Sequence, residues 1–385
     1  MKPLSIRSST IHGSVSLQLN AQYLALKKQG KPAISLGVGE PDFDTPAHIK
    51  KAANDALKRG ATHYVATAGI PEVREAVAQY FKKYHRVEYT PNEVMVCNGA
   101  KQAILNALLV ILNPGDEVVI PEPSWFSFAE LVKLVGGVPV SCPTENLMVR
   151  ASLIEQKITH KTRAIILNSP SNPTGEVIPS AELKKIAALV HNRDLFVISD
   201  EMYHRYLFAG RHTSIASCKD MYERTFLVNG VSKTYAMTGW RCGFVGAPEQ
   251  FISAMTRIQD HATGCINVPT QWGVVAALSG TQAPVTAMLK EFEKRRKYIL
   301  QRLNEINGMV PNNPAGAFYV FPDISEFRCS SFDFCQRLLA EKLVVAIPGS
   351  AFGAGGEGHI RLSYATSMKN IKEAMDRIEK FVKKF

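Results

Sequence analysis

No apolar run in this chain approaches the roughly eighteen residues that a membrane-crossing helix needs. The best stretch, Ala103 to Leu112, is broken by Asn106. Cysteine is sparse and unpatterned, with seven residues and no CxxC pair. That argues against a disulfide framework and a zinc site, and it fits a reducing, cytoplasmic setting. Basic residues fall in scattered short clusters such as Lys27-Lys28 and Arg295-Arg296, without a basic stripe interleaved with aromatics. The net charge of +11 therefore predicts no nucleic-acid partner, and it suits acidic metabolites better. Acidic residues are missing from Met1 to Gly39, as in an organelle transit sequence. The leucines at 17, 19, 24 and 26 with Tyr23 read better as a short amphipathic helix ending at Gly30-Lys31-Pro32. Repeats and low-complexity tracts are also lacking.

What remains is an ordinary globular composition, 46% hydrophobic and 21% charged over 385 residues, long enough for two domains. The middle alternates short β-rich runs with helical stretches. The runs are Val94–Cys97, Glu117–Ile120, Val138–Ser141, Arg163–Asn168, Leu195–Ser199, Thr225–Asn229 and Gly243–Gly246. Helical patterns cover Gln102–Leu112, Trp125–Val135, Ser180–Asn192 and Gln250–His261. Apolar, unalternating strands between helices predict a mostly parallel sheet covered on both faces. After about residue 280 the texture changes. A long basic helix (about Val285 to Asn307) precedes strand-like Phe318–Phe321, Val344–Ile347 and His359–Ser363, then a helix from Met368 to Phe385. The expected division is an N-terminal arm, 1–45, packing with a small C-terminal α/β domain, 285–385, and a large domain, 46–284.

In parallel sheets ligands sit beyond the carboxyl ends of the strands. The loops there carry Asn98-Gly99-Ala100-Lys101, Pro121 to Trp125, Asn168 to Gly175, Asp200-Glu201-Met202-Tyr203 and Gly230-Val231-Ser232-Lys233, with Arg241 eight residues on. Each has an ordinary reading: a tight turn, a core aromatic, a helix cap, a solvated lysine. Together they supply a phosphate nest, an aromatic plate, an amide, a carboxylate, a phenol and an amine at one sheet edge. Those are the parts needed to hold and drive pyridoxal 5'-phosphate.

The chain resembles the fold-type-I, class I aminotransferases, in particular their bacterial aspartate aminotransferase branch. The resemblance rests on Gly37 to Pro46, Tyr64 with Ala68 to Pro71, Gly99 to Gln102, Asn168 to Gly175, Ser199-Asp200-Glu201, and Ser232-Lys233 through Met237 to Arg241. It continues through Pro314 to Tyr319, Pro348-Gly349 and Arg361 to Ala365. It implies a seven-stranded, mostly parallel sheet and a homodimer with shared active sites. Lys233 becomes the Schiff-base lysine and proton carrier, Asp200 the partner of the pyridine nitrogen, and Tyr203 and Asn172 the holders of the ring oxygen. Trp125 stacks on the ring. Gly99, Ala100, Lys101, Ser232 and Arg241 receive the phosphate, with Tyr64 arriving from the partner subunit. Arg361, with Gly39, clamps the substrate α-carboxylate, and Lys101, Ser14 and Ser16 are candidates for its distal carboxylate. Many relatives carry Ser where Gly230 stands, which removes one phosphate hydroxyl, and Cys242 replaces a commoner aliphatic residue. The expected reaction is transfer between L-aspartate and 2-oxoglutarate. Aromatic or broad specificity, or a lyase or oxidase on the same frame, stay open. A non-catalytic effector-binding module lacks room for a preceding DNA-binding domain and would not need Lys233.

Overall fold

The computed structural model describes residues 4–13 and 15–385. Twelve strands are numbered in chain order: β1 Ile34–Ser35, β2 Val94–Cys97, β3 Glu117–Glu122, β4 Val138–Pro143, β5 Thr162–Asn168, β6 Phe196–Asp200, β7 Thr225–Gly230, β8 Gly243–Gly246, β9 Tyr319–Val320, β10 Val344–Val345, β11 Ile347–Pro348 and β12 Ile360–Ser363. Seven form one sheet in the order β2-β8-β7-β6-β5-β3-β4. β3 to β7 are parallel to their neighbours among themselves, and β8 runs antiparallel to both β7 and β2. The central strands are buried along nearly their whole length, as their unbroken apolar sequences require.

Helices Ala100–Ile111 and Glu249–Ala262 pack one face through Ile104, Leu108, Ile252 and Met255 against Ile166, Ile198 and Val228. Helix Ser180–Asn192 covers the other through Leu183, Ile186 and Val190 against Ile165 and Val197. Each such buried aliphatic side chain contributes about 1.5–3 kcal/mol.

The expected C-terminal elements are present but shorter as strands. Phe318–Phe321 reduces to β9, and Val344–Ile347 divides into β10 and β11. The long helix is Ala283–Asn304 and the last is Met368–Val382. Their apolar faces enclose Phe292, Ile299, Phe318, Leu362, Met375 and Ile378 in one core. That core also takes in Met202, Tyr203 and Tyr206 from the loop after β6, so it crosses the expected boundary near residue 284. β1 pairs in parallel with β10, joining the N-terminal segment to the C-terminal elements. The N-terminal helix, Val15–Lys28, buries Leu19 but leaves Leu17 and Leu24 exposed, so its amphipathic pattern is only partly used within one chain. Among the described residues no helix is long and apolar enough to cross a membrane.

Gly175 joins the β5 loop to the segment before β9. Its φ is +69°, and its carbonyl accepts from the Gly316 amide at 2.8 Å. A Cβ there would meet the Gly316 and Tyr319 carbonyl oxygens at 2.7 and 3.1 Å. Gly175→Ala should lower unfolding free energy by about 1–3 kcal/mol, from left-handed backbone strain plus crowding. An unchanged urea midpoint would show that the loop relaxes freely.

Candidate active site

The register of the central strands brings the polar residues together. Asn168 aligns with Asp200 across β5 and β6, and Asp200 with Val228 across β6 and β7. Beyond those ends lies a cavity of about 430 Å³. Of the residues expected at the site, Ser16, Gly39, Ala100, Lys101, Trp125, Asn172, Asp200, Tyr203, Ser232, Lys233, Arg241 and Arg361 line it. Gly99 sits behind, as N-cap of helix Ala100–Ile111.

Asp200 is buried, and its Oδ1 accepts from the Met202 amide at 3.1 Å. Burial pushes its carboxyl up to about 7, opposed by that hydrogen bond, helped by the charge of Glu201 and opposed again by Lys233. The Lys233 Nζ donates to the Gly39 carbonyl at 2.6 Å. Burial pulls its ammonium down to about 8, against Glu40, with Arg361 and Arg241 adding to the fall. A lysine held there is partly neutral near pH 8, which an amine base requires.

Gly99 has φ +84° and a stacked Arg241 guanidinium where a Cβ would stand. The amides of Ala100 and Lys101 follow in the first turn of their helix and have no hydrogen-bond partner among the described residues. Arg241 donates from Nη1 to the Thr238 carbonyl at 2.9 Å, leaving it beside this nest. Ser232 is buried on the same side. Gly230 offers no space for a hydroxyl: an added Cβ would meet the Cys242 carbonyl oxygen at 3.0 Å and Met202 Sδ at 3.2 Å.

Arg361, in β12, is 3% exposed. Its Nη1 donates to Asn172 Oδ1 at 2.8 Å and its Nη2 to the Gly37 carbonyl at 2.6 Å, while its Nε has no partner among the described residues. The Trp125 ring lies under the Lys101 ammonium at 4.9 Å. Burial, then Arg241, lowers the Lys101 pKa. Ser16 has a buried Oγ without a partner among the described residues. Ser14 lies outside the described residues. Tyr64 is not brought to this cavity; it is 96% exposed.

The sequence reading gave no role to several residues that the structure places here. Tyr319 hydroxyl lies 2.7 Å from Tyr203 hydroxyl, and its ring lies under the Arg361 guanidinium at 4.6 Å. Asn168 donates to the Asp200 carbonyl and accepts from the Asn172 amide. Glu40 accepts from Thr238 Oγ1 at 2.7 Å. The signal for Asn168 was its position at the end of the strand beside Asp200. Tyr319 and Glu40 lie inside motifs that carry the family resemblance, and only the fold gives them partners.

Over residues 31–378 the chain matches the family described as aminotransferase class I and II. It belongs to that family. The chain is 47% identical to the aspartate aminotransferase of Pyrococcus abyssi, over 92% of each chain. It is 45% identical to aromatic-amino-acid aminotransferase 2 of Thermococcus litoralis, over 91% of this chain and 92% of that one. The structure of aspartate aminotransferase from Thermus thermophilus with maleate superposes with a TM-score of 0.95 at 38% identity, covering 99% and 100% of the two chains. Aminotransferases of this family use pyridoxal phosphate. Two features of this chain fit that group on their own terms. The Ala100 and Lys101 amides point unbonded from a helix start, suiting a phosphate. Asp200 buries a carboxylate with one oxygen bonded only once and the other not at all, suiting a cationic ring nitrogen.

Without cofactor, Asp200 holds its proton more tightly folded than unfolded. Its contribution to stability is full below about pH 4 and is lost as pH rises through about 7. Asp200→Asn removes that loss. Between about pH 5 and about pH 8, cofactor-stripped Asp200→Asn should gain about 2–3 kcal/mol on wild type in urea unfolding. Parallel curves would show that the carboxyl is solvated.

Proposed function

We propose that this aminotransferase moves the amino group of L-aspartate to 2-oxoglutarate in a ping-pong cycle, giving oxaloacetate and L-glutamate. One observation carries the substrate reading: two cationic side chains, Arg361 and Lys101, line the same cavity, matching the two carboxylates of the substrate. Relatives named for aspartate at 47% and 38% identity support it.

When bound, pyridoxal phosphate supplies an electrophilic carbonyl carbon and a ring that accepts electron density from the substrate α-carbon. The chain's residues do the rest. Lys233 Nζ would hold the cofactor's carbonyl carbon and would move a proton at the substrate α-carbon, a task that its lowered pKa suits. Asp200, as a carboxylate, keeps the ring nitrogen protonated. Asn172 and Tyr203 hold the ring oxygen. Trp125 covers the ring face. The amides of the Gly99-Ala100-Lys101 turn, with Ser232 and Arg241, hold the phosphate. Arg361 binds the α-carboxylate with two parallel N–H donors beside Gly39, alongside its bonds to Gly37 and Asn172. Lys101, with Ser16 and Ser14, meets the distal carboxylate.

The same reading makes the protein a cytoplasmic homodimer in which Tyr64 reaches the partner's phosphate site. The 96% exposure of Tyr64 and seven unpaired cysteines support it. It also treats residues 285–385, with the arm 1–45, as the unit that closes over substrate against 46–284. A second reading, aromatic amino acids as donors, is favoured by the 45% identity to the Thermococcus litoralis enzyme and by Trp125 and Phe126 in the cavity lining.

The deciding experiment follows the visible spectrum of purified holoenzyme titrated with individual amino acids. Aspartate should convert the cofactor to its amino form at the lowest concentration. Much faster conversion by tyrosine or phenylalanine would remove aspartate as the donor and leave the aminotransferase standing.

Two variants separate the ends of the substrate. Arg361→Lys should raise KM for amino and oxo acids alike by about tenfold to a hundredfold, since an ammonium cannot present the paired donors. An effect on one donor only would mean that Arg361 reads the side chain. Lys101→Ser should cost aspartate and 2-oxoglutarate about 1–3 kcal/mol in kcat/KM, the range for one charged hydrogen bond. Neutral amino acids should be spared, and equal losses across all donors would place Lys101 on the phosphate.

A further inference from the structure

β6 ends in Asp200, and the residue just past it, Glu201, is a second carboxylate. Asp200 faces the cavity, while Glu201 faces the other way and is 1% exposed. Glu201 lies on the side of Ser199, whose Oγ donates to its Oε1 at 2.9 Å; Ser214 Oγ donates to the same oxygen at 2.7 Å. His212 Nε2 lies 2.5 Å from Oε2, and His85 Nε2 lies 3.5 Å from it. Around them, Asn229 Nδ2 reaches the Glu201 carbonyl, His85 Nε2 and His204 Nδ1, each at 3.0 Å. Tyr80 hydroxyl closes the far side on His204 Nε2 at 3.0 Å, and the buried Tyr89 stands nearby.

The ligand atoms of His85, Glu201 and His212 fall within 4.8 Å of one another, a spacing compatible with a metal ion. Both carboxylate oxygens are already engaged, however, and the contact to His212 is that of a hydrogen bond. The centre is closed by its own protons.

Burying an ionised carboxylate is costly, and an amide of the same shape could meet the same hydroxyls. The charge is nevertheless retained. Burial works against it, but His212, His85 and the Ser214 hydroxyl leave the Glu201 carboxyl below its ordinary range. Burial holds His85 down at about 4 and pushes His204 well below its usual value, so neither is protonated at neutral pH.

We propose that Glu201 is an electrostatic positioning residue for the cofactor: its buried negative charge, one residue from Asp200 on the reverse face of β6, helps hold the proton on the ring nitrogen that Asp200 faces. The neighbouring Asn229 fixes the geometry of the same region, since its Oδ1 accepts from the Gly230 amide at 2.7 Å and its Nδ2 holds the Glu201 carbonyl. The strand end of Asp200 and the start of the Lys233 loop are thereby tied to one side chain.

The inference rests on the reading that Asp200 meets the ring nitrogen, and the test separates the two. Apoenzyme is titrated with pyridoxal phosphate and with its carbocyclic analogue, in which C–H replaces the ring nitrogen, and binding is followed by tryptophan fluorescence. Wild type should prefer pyridoxal phosphate. Glu201→Gln should reduce that preference roughly tenfold while the analogue binds within about twofold of wild type, as expected for one buried charge felt only by a protonated nitrogen. An unchanged preference, or an equal fall for both ligands, would overturn the proposal. Should the amide variant not fold, Glu201→Asp keeps the charge: a preserved preference supports the inference, and a collapsed one assigns Glu201 a purely geometric role. Wild-type apoenzyme that shows no preference at all would instead remove Asp200 from the ring nitrogen.

Discussion

The site depends on the register of β5, β6 and β7. Strands buried on both faces carry no hydrophobic alternation to fix their alignment, and a one-residue slip exchanges the faces of every side chain. In β6 such a slip would swap Asp200 with Glu201. Polar contacts hold the alignment instead. The Ser169 amide and the Asn168 side chain both donate to the Asp200 carbonyl, and the Glu201 amide donates to the Val228 carbonyl. On the reverse face Ser199 and Ser214 hold the Glu201 carboxylate. Each carboxylate is thus committed to its own side before any ligand arrives.

With the strand ends level, the loops set the electrostatics of the cavity. Four basic side chains, Lys101, Lys233, Arg241 and Arg361, face two acidic ones, Glu40 and Asp200. Such an excess favours a phosphate and carboxylates over neutral ligands. Within it the individual environments differ. Burial drives Lys233 and Asp200 toward their neutral forms, at about 8 and about 7. Arg361 is also lowered by burial but, as a guanidinium, keeps its charge. The two groups that burial brings near neutrality and the one that stays charged are therefore distinguished by chemistry as much as by position.

Much of this was legible in the sequence. The seven strand-like runs correspond to the seven strands of the large sheet, and Ser180–Asn192 is a helix with those same ends. Residues that follow strands carry their chemistry in their type and position, so Asp200, Lys233, Asn172 and Arg241 stand out as candidates, and all four line the cavity. Other features depend on distant partners. The short strands β9 to β11 exist through pairings with β12 and β1, which no local pattern encodes. Tyr319 gains its role from Tyr203, 116 residues away, and Glu40 from Thr238. The exposed Leu17 and Leu24 show the opposite limit, since an apolar pattern does not say what covers it.

The segment from Ile34 to Glu40 links the two halves of the substrate site. Its strand β1 pairs with β10, and the Leu36 carbonyl accepts from the Ser363 amide at the end of β12. Further along, the Gly37 carbonyl caps Arg361, the Gly39 carbonyl caps Lys233, and Glu40 accepts from Thr238. A carboxylate taken up by both terminal nitrogens of Arg361 would share them with the Gly37 and Asn172 bonds, because each of those nitrogens carries two N–H donors. Any change at Lys233 Nζ likewise acts on the Gly39 carbonyl, two residues along. The arginine and the lysine therefore both bond to one short stretch of backbone. That stretch is anchored to the C-terminal elements on one side and to the Thr238 turn on the other. Coupling of this kind needs no long pathway, since the two groups bond to carbonyls two residues apart in the same segment.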